Sequence, residues 1–278
     1  MSVIGVLGTK GGTGKTSVAM GVAIWVSKLN PKPILLIDGD LHVRSVELKM
    51  CPVHDVTLAD VLAGKKSWGD AVYTCQLEVE GKLLYPNLAV LPAGGRFLPP
   101  MKGGSSLAYL DLTKRVFDRM MSSLRKQFDT IIIDTPASVA YEHLILTAVA
   151  DRVLHVCEAN DDSIDATFAT AQGLARFIEV ETVGVVLNKV PDDVDANKWI
   201  DEASRIGPVL GVVPYDESVD MAFRENLPVV AAYPECRASL AFKKIAEKLL
   251  RVKAKPAELP KRLDLAIAKV VQRVEAEK

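Results

Sequence analysis

An apolar stretch, Val3–Gly8, runs directly into Thr9-Lys10-Gly11-Gly12-Thr13-Gly14-Lys15-Thr16-Ser17 and from there into a helical pattern, Thr16–Lys28. No other segment constrains the fold so tightly. Closely spaced glycines let backbone N–H groups turn inward around a polyphosphate, where side chains would obstruct them. A helix beginning near Lys15 aims its positive end and unpaired N–H groups at the same place. In such a loop Gly11, Gly12, Thr13, Gly14, Lys15, Thr16 and Ser17 would line the phosphates. Lys15 would reach the terminal groups, and the Thr16 hydroxyl would bind Mg²⁺. Thr9 stands where the usual first glycine of this loop pattern would be, but the strand–loop–helix context is the required one.

The rest of the chain repeats that alternation. Short β-branched runs at Ile34–Asp38, Leu88–Leu91, Thr130–Asp134, Arg152–Glu158, Val183–Leu187 and Leu210–Pro214 read as strands. Ile131-Ile132-Ile133 has no polar alternation, so both of its faces should be covered. Helical patterns fall between the strands at Leu110–Gln127, Ile164–Ile178 and Ala238–Arg251, and Thr57 with Asp60 forms a capping-box pair ahead of a stop at Gly64. The expected fold class is α/β: a doubly wound, mostly parallel sheet of about seven or eight strands flanked by helices. At 278 residues, 49% hydrophobic and 25% charged, the chain has ample interior for such a core and is neither disordered nor fibrous. No apolar run approaches the ~18 residues that cross a bilayer, and the N-terminus lacks a secretory pattern. Pro92–Ser106, with four glycines and three prolines, reads as a surface loop.

Two strand ends carry the carboxylates that phosphate chemistry needs. Asp134 closes Thr130-Ile131-Ile132-Ile133 and precedes Thr135-Pro136-Ala137; from there it can hold magnesium through a bound water. Asp38 and Asp40 flank Gly39 after Ile34-Leu35-Leu36-Ile37. One can stay near the metal while the other faces the γ-phosphate. A helix-capping role is the bland alternative for each taken alone.

At these residues the sequence resembles the MinD/ParA family of deviant Walker-A ATPases. The likeness runs through Lys10-Gly11-Gly12-Thr13-Gly14-Lys15-Thr16, with its additional lysine five positions before Lys15, then Asp38-Gly39-Asp40, Asp134-Thr135-Pro136-Ala137, Leu187-Asn188-Lys189 and Gly211-Val212-Val213-Pro214. It covers roughly residues 1–250, and Asp38–Leu41 with Val56–Gly64 looks closest to archaeal MinD-like proteins. The resemblance implies a P-loop NTPase fold and an ATP-dependent homodimer with nucleotide in the interface. It implies Lys10, Lys15 and Asp40 as catalytic residues: Lys10 contacting phosphate across the dimer, Asp40 orienting the attacking water. Thr16, Asp38 and Asp134 would support Mg²⁺, Asn188 would hydrogen-bond the adenine of ATP, and Pro214 would belong to the nucleotide-binding set. Asp134–Ala140 would be a switch sensing the γ-phosphate. Asn188-Lys189, followed by Val190, lacks the aspartate of the guanine-reading NKxD pattern, which agrees with ATP.

Relatives that carry metal clusters or CxxC pairs have cysteine patterns absent here: Cys51, Cys75, Cys157 and Cys236 are scattered, as reduced thiols of a cytoplasmic protein would be. Cys157 reads as core and Cys236 as exposed. From Arg237 to Arg262 nine lysines and arginines face two glutamates. That patch suits anionic lipid, a nucleic-acid backbone or plain solvent. The chain divides into an ATPase domain at 1–252, a linker at 253–260 and a C-terminal amphipathic helix at 261–278. In that helix Leu263, Ala266, Ile267, Val270, Val271 and Val274 form an apolar stripe ~140° wide. Without Phe or Trp, and with opposite charges on its two edges, the stripe suits its own domain first, then a partner helix, then a membrane surface. Two functions follow. One is an ATP-driven dimerisation switch that positions or regulates a partner assembly, as in division-site selection or cargo partitioning, with peripheral attachment at the inner face of the membrane as an option. The other is a maturation NTPase inserting metal into a client enzyme.

Overall fold

The computed structural model describes residues 2–41, 43–95, 106–136, 141–252 and 259–276. Strands are β1 Ser2–Leu7, β2 Ile34–Asp38, β3 Tyr73–Thr74, β4 Glu78–Val79, β5 Lys82–Leu83, β6 Leu88–Leu91, β7 Thr130–Asp134, β8 Arg152–Glu158, β9 Glu181–Val190 and β10 Val209–Pro214. In the first half the helices are α1 Lys15–Leu29, α2 Ser45–Met50, α3 Leu58–Leu62 and α4 Ser106–Gln127. The second half adds α5 Tyr141–Ala148, α6 Asp161–Ile178, α7 Ala196–Ser204, α8 Glu217–Arg224, α9 Val229–Ala232, α10 Arg237–Arg251 and α11 Leu259–Ala276.

Eight strands form one sheet in the order β10-β9-β8-β1-β7-β2-β6-β3. Every pairing is parallel except that of the two-residue edge strand β3 with β6. The doubly wound expectation holds. What the sequence missed is short: β3, the β4–β5 hairpin and helices α2, α5, α7, α8 and α9, each of ten residues or fewer and too brief for a clear period. β9 is longer than expected, Glu181–Val190, because its exposed first residue still pairs with Arg152 at the edge of β8.

The continuous apolar runs are explained by burial on both faces. Along β1, Ile4 and Val6 join the core under α1 and α10, whereas Val3 and Leu7 face the core built by α4 and α5. β2 divides the same way, Ile34 and Leu36 against Leu35 and Ile37. Period-two alternation is therefore present, but apolar on each side.

The capping box at Thr57 and Asp60 forms, and Gly64 has φ +70. Cys157 is core; Cys236 is half-buried, and its thiol caps α10 by accepting from Ser239 N at 3.4 Å. α11 lies on the body of the protein, with Leu259, Leu263 and Ala266 buried in the core shared with α4 and α5. Arg262 donates to the carbonyls of Ala150 at 2.6 Å and Asp151 at 3.2 Å, and Lys261 pairs with Glu179 at 2.7 Å. Residues 96–105 of the expected surface loop, 137–140 of the expected switch and 253–258 of the expected linker lie outside the described residues, as do the side chains of Val270, Val271 and Val274.

Candidate functional site

β1, at the middle of the sheet, delivers the glycine loop to the carboxyl edge of the strands. Gly12 (φ +82) and Gly14 (φ +84) are left-handed, a conformation that L side chains resist by about 1–2 kcal/mol. A Cβ on Gly11 or Gly12 would meet nothing within 4 Å, so the loop's outer rim is open space. A Cβ on Gly14 would run into the Asn188 amide. Gly8, which the sequence reading left outside the loop, is equally confined: a Cβ there would lie 2.7 Å from Thr13 Oγ1 and 2.8 Å from Lys15 Cγ.

α1 starts at Lys15 with no side-chain cap and no acidic residue in its first turn. Its leading N–H groups and helix dipole therefore act on whatever occupies the loop. Lys15 is buried, its Nζ 3.5 Å from Lys10 O, and Thr13 Oγ1 donates to the same carbonyl at 3.4 Å. Burial holds the Lys15 ammonium below its ordinary pKa, opposed by the charges of Asp134 and Asp40. Thr16 and Ser17 are half-buried in the same turn.

Asp38 and Asp134 are register partners on neighbouring strands, and both side chains are buried. Burial, then the proximity of Asp134, pushes Asp38 well above the usual carboxylate range. Burial lifts Asp134 to about 7 against the pull of a Thr16 hydrogen bond and the Lys15 charge. Asp134 Oδ1 has no hydrogen-bond partner. Two buried carboxylates that repel one another, one with an orphaned oxygen and a threonine hydroxyl beside it, form an oxygen donor set suited to a hard divalent cation such as Mg²⁺.

Gly39 explains why the Asp-Gly-Asp turn has no side chain at its centre. Its N–H donates to Asp134 O at 2.9 Å, and a Cβ would sit 2.6 Å from that oxygen. Asp40 is half-buried; its N–H donates to Asp38 Oδ1 at 3.2 Å, and its own Oδ1 accepts from Val43 N at 3.0 Å. Thr135 Oγ1 donates to Val6 O at 2.8 Å, tying the end of β7 to β1.

Lys10 is exposed, its Nζ 3.7 Å from Asp162 in the first turn of α6. With Asp162 itself 90% exposed, this pair holds Lys10 only weakly. Asn188, at the end of β9, is buried and donates to Thr13 O at 2.7 Å. Lys189 Nζ bonds Gly12 O at 2.5 Å, a loop contact the sequence did not flag. Pro214 ends β10 beside a 510 Å³ cleft lined by Pro191, Asp192, Tyr215, Asp216, Ser218 and Met221, among others. The loop, Asp38, Asp40, Asp134 and Asn188 thus converge on one edge of the sheet. Pro214 immediately precedes Tyr215, which lines the cleft, and Lys10 projects from the loop's outer side.

Comparison with known proteins agrees with this geometry. The family model described as the CobQ/CobB/MinD/ParA nucleotide binding domain matches residues 4–229. The uncharacterized ATP-binding protein MJ0547 of Methanocaldococcus jannaschii is 30% identical over 276 residues, covering 97% of this chain and 95% of that protein. The crystal structure of the cell division ATPase MinD of Pyrococcus furiosus superposes with a TM-score of 0.75 at 27% identity, covering 91% of this chain and 99% of that one. The septum site-determining protein MinD of Pyrococcus horikoshii, complexed with Mg-ADP, gives 0.73 at 25% identity, covering 90% and 96%.

Proposed function

We propose, from the premise that this chain belongs to the CobQ/CobB/MinD/ParA nucleotide-binding family, that it is an Mg²⁺-dependent ATPase working as a dimerisation switch. ATP is the substrate and the hydrolysed γ-phosphate is the signal; the output is the position or activity of a partner assembly. One observation carries this reading: a buried, mutually repelling carboxylate pair, Asp38 and Asp134, stands with Lys15 at the mouth of an open, left-handed glycine loop. Buried carboxylates beside a phosphate loop are what magnesium-assisted phosphoryl transfer needs.

Each residue then has a task. The loop N–H groups and Lys15 would bind the β- and γ-phosphates, and Thr16, Asp38 and Asp134 would hold the metal. When bound, Mg²⁺ would neutralise phosphate charge. Asp40 would orient water. Asn188 and Pro214 would border the base, next to the cleft beyond β9 and β10. Phosphoryl transfer has a loose transition state, so catalysis is chiefly positioning and charge compensation. Lys10 fits that need if a second copy presents it: its exposure and weak tether leave it able to reach across a dimer. Hydrolysis would then depend on association and, by linkage, association on the γ-phosphate.

The MinD names of two relatives favour division-site or cargo positioning over metal insertion. Among the described residues no helix is long and apolar enough to cross a membrane. A surface role for residues 237–278 at lipid or DNA is tested by liposome and DNA co-sedimentation with and without ATP. The decisive experiment for the switch is light scattering with ATP. Wild-type protein should dimerise, Lys15→Ala should lose nucleotide binding, and Lys10→Ala should bind ATP yet stay monomeric. A Lys10→Ala protein that dimerises with ATP refutes the shared-site reading.

A further inference from the structure

Among the described residues outside those already assigned, Glu47, in the first turn of α2, is like Asp151 a fully buried acidic side chain with several partners. Its side chain is fully buried, an uncommon setting for a carboxylate unless it is bonded on several sides. Gly94 N donates to Oε2 at 2.8 Å; Arg44 Nε forms an ion pair at 3.2 Å with Oε1, which accepts no hydrogen bond, and His54 Nε2 lies 3.7 Å from Oε2. His54 is itself fixed by its Nδ1, 2.8 Å from Cys51 O. From the same residue, the Glu47 N–H donates to Asp38 Oδ2 at 3.3 Å.

Those bonds join three places. Asp38 is at the carboxyl end of β2. Gly94 stands just past β6, where Pro92 O and Ala93 O already accept from Leu58 N and Ala59 N of α3. Arg44 and His54 flank α2. The Asp38 carboxylate is gripped by two backbone N–H groups, from Asp40 and Glu47, one on each oxygen. The Asp40 contact lies within the turn and moves with it. The Glu47 contact comes from α2, which Val46 and Met50 seat in the core and which the Glu47 side chain ties to Gly94 beyond β6.

We propose that Glu47 is a positioning residue: by clamping α2 to the loop after β6 it sets the orientation of the Asp38 carboxylate, and hence the affinity of the site for its divalent cation. The inference rests on the nucleotide-site reading above. Its role is indirect, since the Glu47 side chain reaches Asp38 only through its own backbone. Groups that orient a metal ligand from behind typically change metal affinity by 10–100-fold when removed.

The test is a Mg²⁺ titration of fluorescent-ATP binding to the full chain, with a thermal melt of each variant. Glu47→Ala should raise the Mg²⁺ concentration for half-maximal tightening by about tenfold or more, while Mg²⁺-free ATP affinity stays within about twofold. Glu47→Asp keeps the charge but is too short to reach Gly94, and should shift the titration in the same direction. Glu47→Gln keeps the length and an acceptor oxygen for Gly94 N–H, and should restore most of the wild-type behaviour. The Asp and Gln variants decide the matter if the alanine variant fails to fold. A folded Glu47→Ala or Glu47→Asp protein with wild-type Mg²⁺ dependence overturns the proposal, as does a Gln variant no better than Asp. Wild-type protein that binds no ATP at all would instead overturn the nucleotide site itself.

Discussion

Replacing Gly14 by alanine should cripple the phosphate loop for two separable reasons. The first is conformational: φ is +84, and an L residue held there loses about 1–2 kcal/mol. The second is steric, because the new Cβ would occupy the position of the Asn188 amide. That amide donates to Thr13 O at 2.7 Å in a buried setting, so displacing it leaves polar groups unpaired at about 1–3 kcal/mol. A free loop can relax by opening, so the loss returns when a nucleotide requires the closed turn. The expected total is about 2–5 kcal/mol, or roughly thirty- to five-thousand-fold in ATP affinity. Isothermal titration of Gly14→Ala, Asn188→Ala and the double variant measures it. Truncating Asn188 removes the collision but not the φ penalty, so the double variant should bind better than the two single losses predict, by about 1–3 kcal/mol. The reasoning is refuted if Gly14→Ala binds ATP within about threefold of wild type, or if the two losses simply add.

Asp134 gives the nucleotide-free protein a pH signature. Its pKa is lifted from 3.8 to about 7, so between those values the folded state holds a proton that the unfolded chain releases. This group's contribution to stability is full below 3.8 and is lost as pH rises through 7, a span of ~4 kcal/mol at most. Asp134→Asn should therefore be the more stable protein above pH 7 in urea melts, with the advantage vanishing towards pH 4; an advantage that does not vary with pH contradicts the assignment. Leu263→Ala, emptying a fully buried position of α11, should cost about 2–4 kcal/mol in the same melts, and a change below about half a kcal/mol would mean α11 does not dock in solution. Asp40→Ala should accumulate ATP-bound dimer by light scattering, and retained turnover would remove Asp40 as the water-orienting residue.

How much of this was legible in the sequence follows the range of each interaction. Glycine, lysine and threonine within a few positions declare a phosphate loop locally, because the chemistry lies in one turn and the flanking elements are long. Asp38 and Asp134 could be read from their places at strand ends, although their being register partners depended on β7 inserting between β1 and β2. Asn188 gripping Thr13, 175 positions away, and Glu47 gripping Gly94, 47 away, left no spacing to read. Gly8 went unnoticed because the loop pattern conventionally begins after it, and only packing against Thr13 and Lys15 reveals its constraint. The terminal stripe was legible as amphipathic, but its seat against the α4–α5 core required tertiary contacts.

Gly39 donating to Asp134 O ties the turn after β2 to the strand end of β7 with no side chain between them. The two segments are thereby yoked: a tug on either carries the other. A displacement of either segment at this edge is passed to the other through backbone alone.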